Sequence, residues 1–196
     1  MKKKLFAIIL CGAFACSLAL VGCAGGGGES ESAPEPEAEA SQTGMPNPWT
    51  DVATPEEAAA GAGIDSFNVP TEGKIQDMEI VGAPVFRCMD GIAEADYEFG
   101  AASLCVRKGL ATAAAEPDDI SGVYEDYAKS WTIDVNGVPV TCKGNVDGQA
   151  ILTLWTDAEY AYSLFAQGLG GDENFGLKDA TVTELATMLM SAPAAR

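Results

Sequence analysis

The sequence predicts an α+β domain: a mostly antiparallel, twisted sheet of about six strands, with an N-terminal and a C-terminal helix packed on one face. Three observations lead there. Runs of alternating apolar and polar residues, divided by turn dipeptides, occupy much of residues 78–166. Capped segments of helical period stand at either end, over 54–62 and 181–189. The stretch before them, residues 24–48, reads AGGGGESESAPEPEAEASQTGMPNP and has no apolar period, which leaves a single domain over 49–196.

The elements follow in order. In TPEEAAAGA (54–62), Thr54 suits the N-cap, Pro55 the first helical position, and Glu57 completes a capping box. Gly61 or Gly63 ends the helix, and Ile64, Phe67 and Val69 dock the next run. MEIVGAPVFRC (78–88) alternates through Met78, Ile80, Phe86 and Cys88, with Pro84 marking an edge or a bulge. After the Asp90-Gly91 turn, ADYEFGAASLCVR (95–107) is expected as one half-buried strand. Its apolar face carries Tyr97, Phe99, Ala101 and Cys105, and Asp96 and Glu98 point away. In PDDISGVYEDYAKS (117–130), Ile120, Val123, Tyr124 and Tyr127 have helical spacing, but Ser121-Gly122 interrupts them. A short helix or an irregular crossing segment is expected.

WTIDVNGVPVTC (131–142) is the clearest element. Asn136-Gly137 is a type I′ hairpin signal, and that register sets Val135 opposite Val138, Ile133 opposite Val140 and Trp131 opposite Cys142. Asp147-Gly148 closes the next hairpin into AILTLW (150–155). Apolar residues on both faces there, Leu152 and Leu154 against Ile151 and Trp155, mark a strand covered on both sides. YAYSLFA (160–166) is a further strand. Thr181 and Glu184 then form a capping box ahead of the stripe Val182, Leu185, Met188 and Leu189.

The N-terminus has a different character. Lys2, Lys3 and Lys4 precede an uncharged apolar run over residues 5–21, somewhat short for a membrane span and ordered like an export signal. It ends Leu20-Val21-Gly22-Cys23, which resembles the bacterial lipobox. The resemblance implies a signal peptide over 1–22, cleavage before Cys23, and a diacylglycerol on the Cys23 thiol. The implied product is a lipoprotein on the extracytoplasmic face of the cell membrane, with the membrane as partner through the Cys23 lipid. Buried acyl chains contribute roughly 0.8 kcal/mol per CH₂, and two chains anchor stably. Residues 23–48 are then expected to form a disordered acidic spacer with an r.m.s. reach of roughly 25–30 Å.

Composition narrows the function. The formal charge is −18, from 11 basic and 29 acidic residues. Loss of residues 1–22 removes three lysines and no acid, so the mature chain carries −21. Such a chain should not bind nucleic acid, which needs cationic neutralisation of phosphate. There is no histidine, the commonest general base near neutral pH and the commonest metal ligand. Cys88, Cys105 and Cys142 remain beyond the lipidated Cys23. Their spacings match no zinc pattern, and at most one intramolecular disulfide can form among them. All three fall on apolar strand faces in the reading above, which favours buried structural thiols.

The segment DISGVYEDYAKSWTIDVNGVPVTCKGN, with ILTLWTDAEYAYSL beyond it, resembles an uncharacterised extracytoplasmic domain family. That family occurs in Gram-positive surface lipoproteins and in the outer parts of anti-sigma-factor-like membrane proteins. The features that carry the resemblance are the VNG-V hairpin, the WTD…Y-Y strand pair and the C-terminal helix, within residues 75–190. It implies architecture and location and supplies no catalytic residue.

No nucleophile motif, phosphate loop or nucleotide fingerprint occurs, so no catalytic residue, cofactor or metal ligand is assigned. The acidic groups Asp90/Glu94/Asp96 and Asp118/Asp119 fit no calcium loop and read as solvated surface. Of the aromatic residues, Tyr160 and Tyr162 share a strand face, and their hydroxyls favour a partly wet position, so they are the candidate binding residues. The expected function is a non-enzymatic binding, sensing or assembly module whose partner is an envelope protein or a cell-wall component. The alternative is a carrier of an apolar ligand or lipid in a half-barrel-like domain.

Overall fold

The computed structural model describes residues 47–114, 119–170, 172 and 174–192. The signal, Cys23 and nearly all of the spacer expected ahead of the domain lie outside the described residues. Within 45–196 the chain forms one compact unit, an α+β domain built on a mostly antiparallel sheet. Among the described residues the sheet has eight strands, not about six, and a separate two-stranded ribbon accompanies it.

The elements run β1 (Thr50–Val52), α1 (Pro55–Ala62), β2 (Lys74–Ile75), β3 (Met78–Glu79), β4 (Val85–Met89), β5 (Ile92–Glu98), β6 (Ala102–Leu110), β7 (Lys129–Val135), β8 (Val138–Gly144), β9 (Leu152–Thr156), β10 (Tyr160–Gly168) and α2 (Asp179–Met190). The main sheet has the order β1-β4-β5-β6-β10-β9-β8-β7, with every pair antiparallel, while β2 and β3 form the ribbon.

Local chemistry accounts for the helix ends. The Thr54 hydroxyl accepts from the Glu57 backbone N–H, and Glu57 Oε2 accepts from the Ala53 N–H at 2.9 Å, reaching one residue beyond the N-cap that a standard capping box would engage. Gly63 closes the helix at φ 70°. Helix α2 begins earlier than its capping-box pattern suggests: Lys178 is the N-cap residue, and Thr181 lies inside the helix, buried, with its hydroxyl donating to Gln76 Oε1.

Strand count departs from expectation where two long runs break. Residues 78–88 divide into β3 and β4 around Gly82 and Pro84, with Gly82 at φ 77°. The expected single strand over 95–107 is a hairpin, β5 to β6, turning at Gly100 with φ 78°. The turn changes side-chain parity. Tyr97 pairs with Leu104, whereas Cys105 pairs with Asp96 and so lies on the opposite face from Tyr97. The segment 120–128 is an irregular crossing with no helix. The β7–β8 hairpin has the expected register, Val135 with Val138, Ile133 with Val140 and Trp131 with Cys142, with Asn136 and Gly137 at φ 56° and 86°.

One sheet face carries Phe86, Cys88, Ala95, Tyr97, Val106, Leu164, Trp155 and Val140. These residues join Ala58, Ala59 and Ala62 of α1 and Val182, Leu185 and Leu189 of α2 in one buried cluster, so side chains fill the helix-bearing face. The other face is covered in part by Trp49 and Ile120, which pack with Ile92, Met89 and Ala161 in a smaller cluster. Among the described residues no helix is long and apolar enough to cross a membrane.

Candidate functional site

Strands β6 and β10 build the site. Their register sets Lys108 directly across from Tyr162, and the alternation of β6 gives Lys108 the same face as Leu104 and Val106. That is the core face, so the sequence forces an ammonium into an apolar layer. Lys108 is 3% exposed. Its Nζ sits 4.4 Å from the centre of the Tyr160 ring and 5.7 Å from that of Tyr162, within range of cation–π attraction. It donates to Ser66 Oγ and to the Leu189 carbonyl at the end of α2, both at 3.4 Å. Among the described residues no carboxylate oxygen lies within 4.0 Å of it.

Burial lowers the Lys108 pKa, and the nearby charges of Asp157 and Asp65 oppose that shift. Tyr162 stacks on Trp155 with ring centres 4.9 Å apart, and its hydroxyl donates to Asp157 Oδ2 at 2.6 Å. Burial first, and then that hydrogen bond, raises the Tyr162 pKa. The Tyr160 ring meets Tyr162 edge-on, and its backbone N–H donates to Asp157 Oδ1 at 3.2 Å.

These groups line a cleft of about 500 Å³ whose mouth carries Asp65, Glu159 and Met190. Tyr160 is half-buried there, while Tyr162 is 1% exposed and forms part of the inner wall. The two tyrosines singled out in the sequence therefore share this site, with Tyr160 the more accessible. Lys108, Ser66 and Asp157 were missed. The signal for Lys108 was present: in ASLCVRKGL it falls in phase with Leu104 and Val106.

Ser66 and Lys108 make a hydroxyl–amine pair, an arrangement that can serve nucleophilic catalysis when the amine is neutral. Here burial lowers the Lys108 pKa, while two ring faces and the charges of Asp157 and Asp65 oppose that shift; the same surroundings of rings and carboxylates suit recognition of a ligand by the lysine. Two further clefts, of about 540 and 420 Å³, lie over the opposite face and share Phe165 and Gln167. Of the three clefts, only the one at Lys108 is lined by a buried charged side chain.

The opposite face holds the strongest electrostatics. Glu94, on β5, lies between Arg87 of β4 and Arg107 of β6, its partners across both neighbouring strands. Its side chain is 1% exposed, against 33% for Arg87 and 19% for Arg107. Arg87 Nε donates to Glu94 Oε1 at 2.8 Å, Arg107 Nε donates to Glu94 Oε2, and Arg87 Nη2 reaches Glu94 and Asp96. Arg107 Nη1 also donates to the Ile120 and Ser121 carbonyls, tying the crossing segment to the sheet. Trp49 lies over both guanidiniums, 5.6 Å from Arg87 and 5.2 Å from Arg107.

Glu94 thus leaves the solvated acidic group in which its sequence placed it, while Asp90 stays exposed and Asp96 is half-buried. Cys105 likewise leaves the apolar face: its thiol contacts Glu94 Oε2 at 3.5 Å, and burial first, then the Glu94 charge, pushes its pKa well up. Glu94, Asp96 and Cys105 have the proximity of a metal cluster. Guanidiniums already engage both Glu94 oxygens, so the arrangement is a charge-balanced ion-pair network.

Comparison with protein-family models, with curated proteins and with solved structures gave no match.

Proposed function

We propose that the protein is a lipid-anchored module of the extracytoplasmic membrane face that captures a ligand in the Lys108–Tyr160 cleft without covalent chemistry of its own. One observation carries the reading. Among the described residues, a lysine ammonium, 3% exposed, lines an open cleft with two neutral oxygen acceptors, both at 3.4 Å, and two tyrosine ring faces, and with no carboxylate oxygen within 4.0 Å. An ammonium has three donors, and N–H···O bonds have their mode near 2.9–3.0 Å. Long bonds to neutral oxygens and ring faces are weak partners for a buried charge, and a ligand group of opposite charge would strengthen its coordination.

The basic head, apolar run and Cys23 lipobox support the anchor. The resemblance to domains of Gram-positive surface lipoproteins points the same way. A spacer reaching roughly 25 Å suits a ligand presented by the cell wall or an envelope protein.

Two measurements test the proposal. Metabolic labelling with a fatty-acid analogue should mark the wild type and not Cys23→Ser; equal labelling would remove the anchor. A photo-reactive residue at Glu159, on the cleft rim, should crosslink a ligand or partner on intact cells. Tyr160→Ala should reduce that capture, and capture unaffected by the substitution would place binding elsewhere.

A further inference from the structure

We propose that the Lys108 cleft is a receptor for small zwitterions of the α-amino acid class, with the ligand carboxylate meeting Lys108 and its ammonium meeting Asp65 at the mouth. The inference deepens the binding reading and rests on it.

Charge placement selects the class. Lys108 Nζ makes two long bonds, to Ser66 Oγ and the Leu189 carbonyl, beside two tyrosine ring faces, and has no carboxylate oxygen within 4.0 Å among the described residues. A carboxylate would complete its coordination with a charge-assisted bond, stronger than either neutral contact. A simple anion meets resistance, because Asp65, Asp157 and Glu159 line the same cleft. A simple cation is drawn to those carboxylates and repelled by the ammonium. Only a ligand bearing both charges satisfies both ends.

The carboxylates are not equivalent. Asp157 is engaged, accepting from the Tyr162 hydroxyl and the Tyr160 N–H. Asp65 is exposed at the mouth, makes no ion pair among the described residues and hydrogen-bonds Tyr160, which leaves further lone pairs of its carboxylate for the ligand ammonium. The half-buried Tyr160 ring and Met190 offer an apolar wall for the side chain of an amino acid. The position of Lys108 at the end of α2 also lets it cap that helix. At 3.4 Å the capping bond is long, and capping does not explain the cleft that the ammonium lines.

The experiment titrates the full-length mature protein with free alanine, leucine, lysine and glutamate. Each is compared with its N-acetyl form, which lacks the ammonium, and its methyl ester, which lacks the α-carboxylate. Calorimetry reads the affinity, and Trp fluorescence reports on Trp155, stacked behind Tyr162. At least one free amino acid should bind saturably and at least tenfold tighter than both of its blocked forms. Lys108→Met should weaken it tenfold or more. Asp65→Asn, an exposed change that leaves the fold intact, should bring the free and N-acetyl forms to within about threefold of each other.

Equal binding of the N-acetyl or the ester form overturns the zwitterion class while leaving a binding cleft in place. Binding unaffected by both substitutions places the ligand elsewhere. If no compound binds and Tyr160→Ala leaves cell-surface capture unchanged, the inference and the function beneath it fall together. Covalent labelling of Ser66 by an activated ester, lost in Lys108→Met, would overturn recognition in favour of acyl transfer.

Discussion

Glu94→Gln is the sharpest perturbation of this domain. The carboxylate is 1% exposed and accepts from two arginines on flanking strands. Removing one partner of a buried ion pair costs about 3–5 kcal/mol, because the remaining charge is left uncompensated. Two features place this case near the lower end. Arg87 keeps 33% of its side-chain exposure and Asp96 as a second partner, and Gln retains one acceptor oxygen. A cost of about 3 kcal/mol follows, a large share of the roughly 5–15 kcal/mol that stabilises such a domain. At about 2–4 °C per kcal/mol for a domain of this size, the thermal midpoint should fall by roughly 10 °C. Urea unfolding followed by Trp fluorescence gives the free energy directly, with an unchanged slope reporting an intact two-state transition.

Asp96→Asn provides the internal contrast. Burial first, and then the Glu94 charge, raises the Asp96 pKa against the pull of Arg87 and Arg107. An acid whose folded pKa lies above its unfolded value favours the folded state when protonated. That contribution is full below the unfolded value of about 3.9 and is lost as pH rises through the folded pKa. Fixing the group neutral should therefore leave stability at pH 7 equal to wild type or higher, with the difference vanishing below about pH 4. Glu94→Gln within about 0.5 kcal/mol of wild type, or Asp96→Asn costing as much as Glu94→Gln, would refute the reading of Glu94 as the hub.

Gly61→Ala should destabilise by about 1–3 kcal/mol despite better helix propensity, because its Cβ runs into Cys88 Sγ. Adding Cys88→Ala should recover most of that loss in a double-mutant cycle read by urea unfolding, and simple additivity would show that the contact is not the cause. Gly137→Ala should cost about 1–2 kcal/mol, since the residue sits at φ 86° in the β7–β8 turn; an unchanged thermal midpoint would contradict the turn geometry. Native protein should react slowly with a water-soluble alkylating agent at pH 8. Burial pushes Cys142 up to about 11 and Cys105 well above its ordinary value, and Cys88 is buried. Peptide mapping that finds any of the three labelled as fast as in urea would show an exposed thiol.

How far the sequence reached depends on whether the deciding contact was local. The β7–β8 register was readable because Asn136 and Gly137 fix the turn, and every pair in the hairpin follows by counting outward from it. Helix α1 was readable for the same reason, with its start set by Thr54 and its end by Gly63, both within the segment. Counting also explains the error. Residues 95–107 alternate well enough to pass for one strand, although thirteen residues is long against the usual five or six. The turn at Gly100 carries no Asn-Gly or Asp-Gly signature, and missing it reversed the face assigned to Cys105.

The Glu94 network lay further out of reach. Glu94 stands two residues before Asp96 in an alternating acidic stretch, and nothing local separates it from a solvated carboxylate. Its burial is decided by Arg87, seven residues back across one hairpin, and Arg107, thirteen residues on across the next. Trp49 then covers the arginines only because β1 is added at the sheet edge beyond β4. Lys108 is the intermediate case. Its in-phase position beside Leu104 and Val106 announces a buried charge, but only the folding-in of Ser66 and the arrival of α2 fix what that charge touches. Alternation therefore tells which face a residue takes. What a charge on that face meets is decided by the partners that tertiary packing brings to it: two arginines engage both oxygens of Glu94, whereas Lys108 meets two neutral oxygens at 3.4 Å and two tyrosine rings.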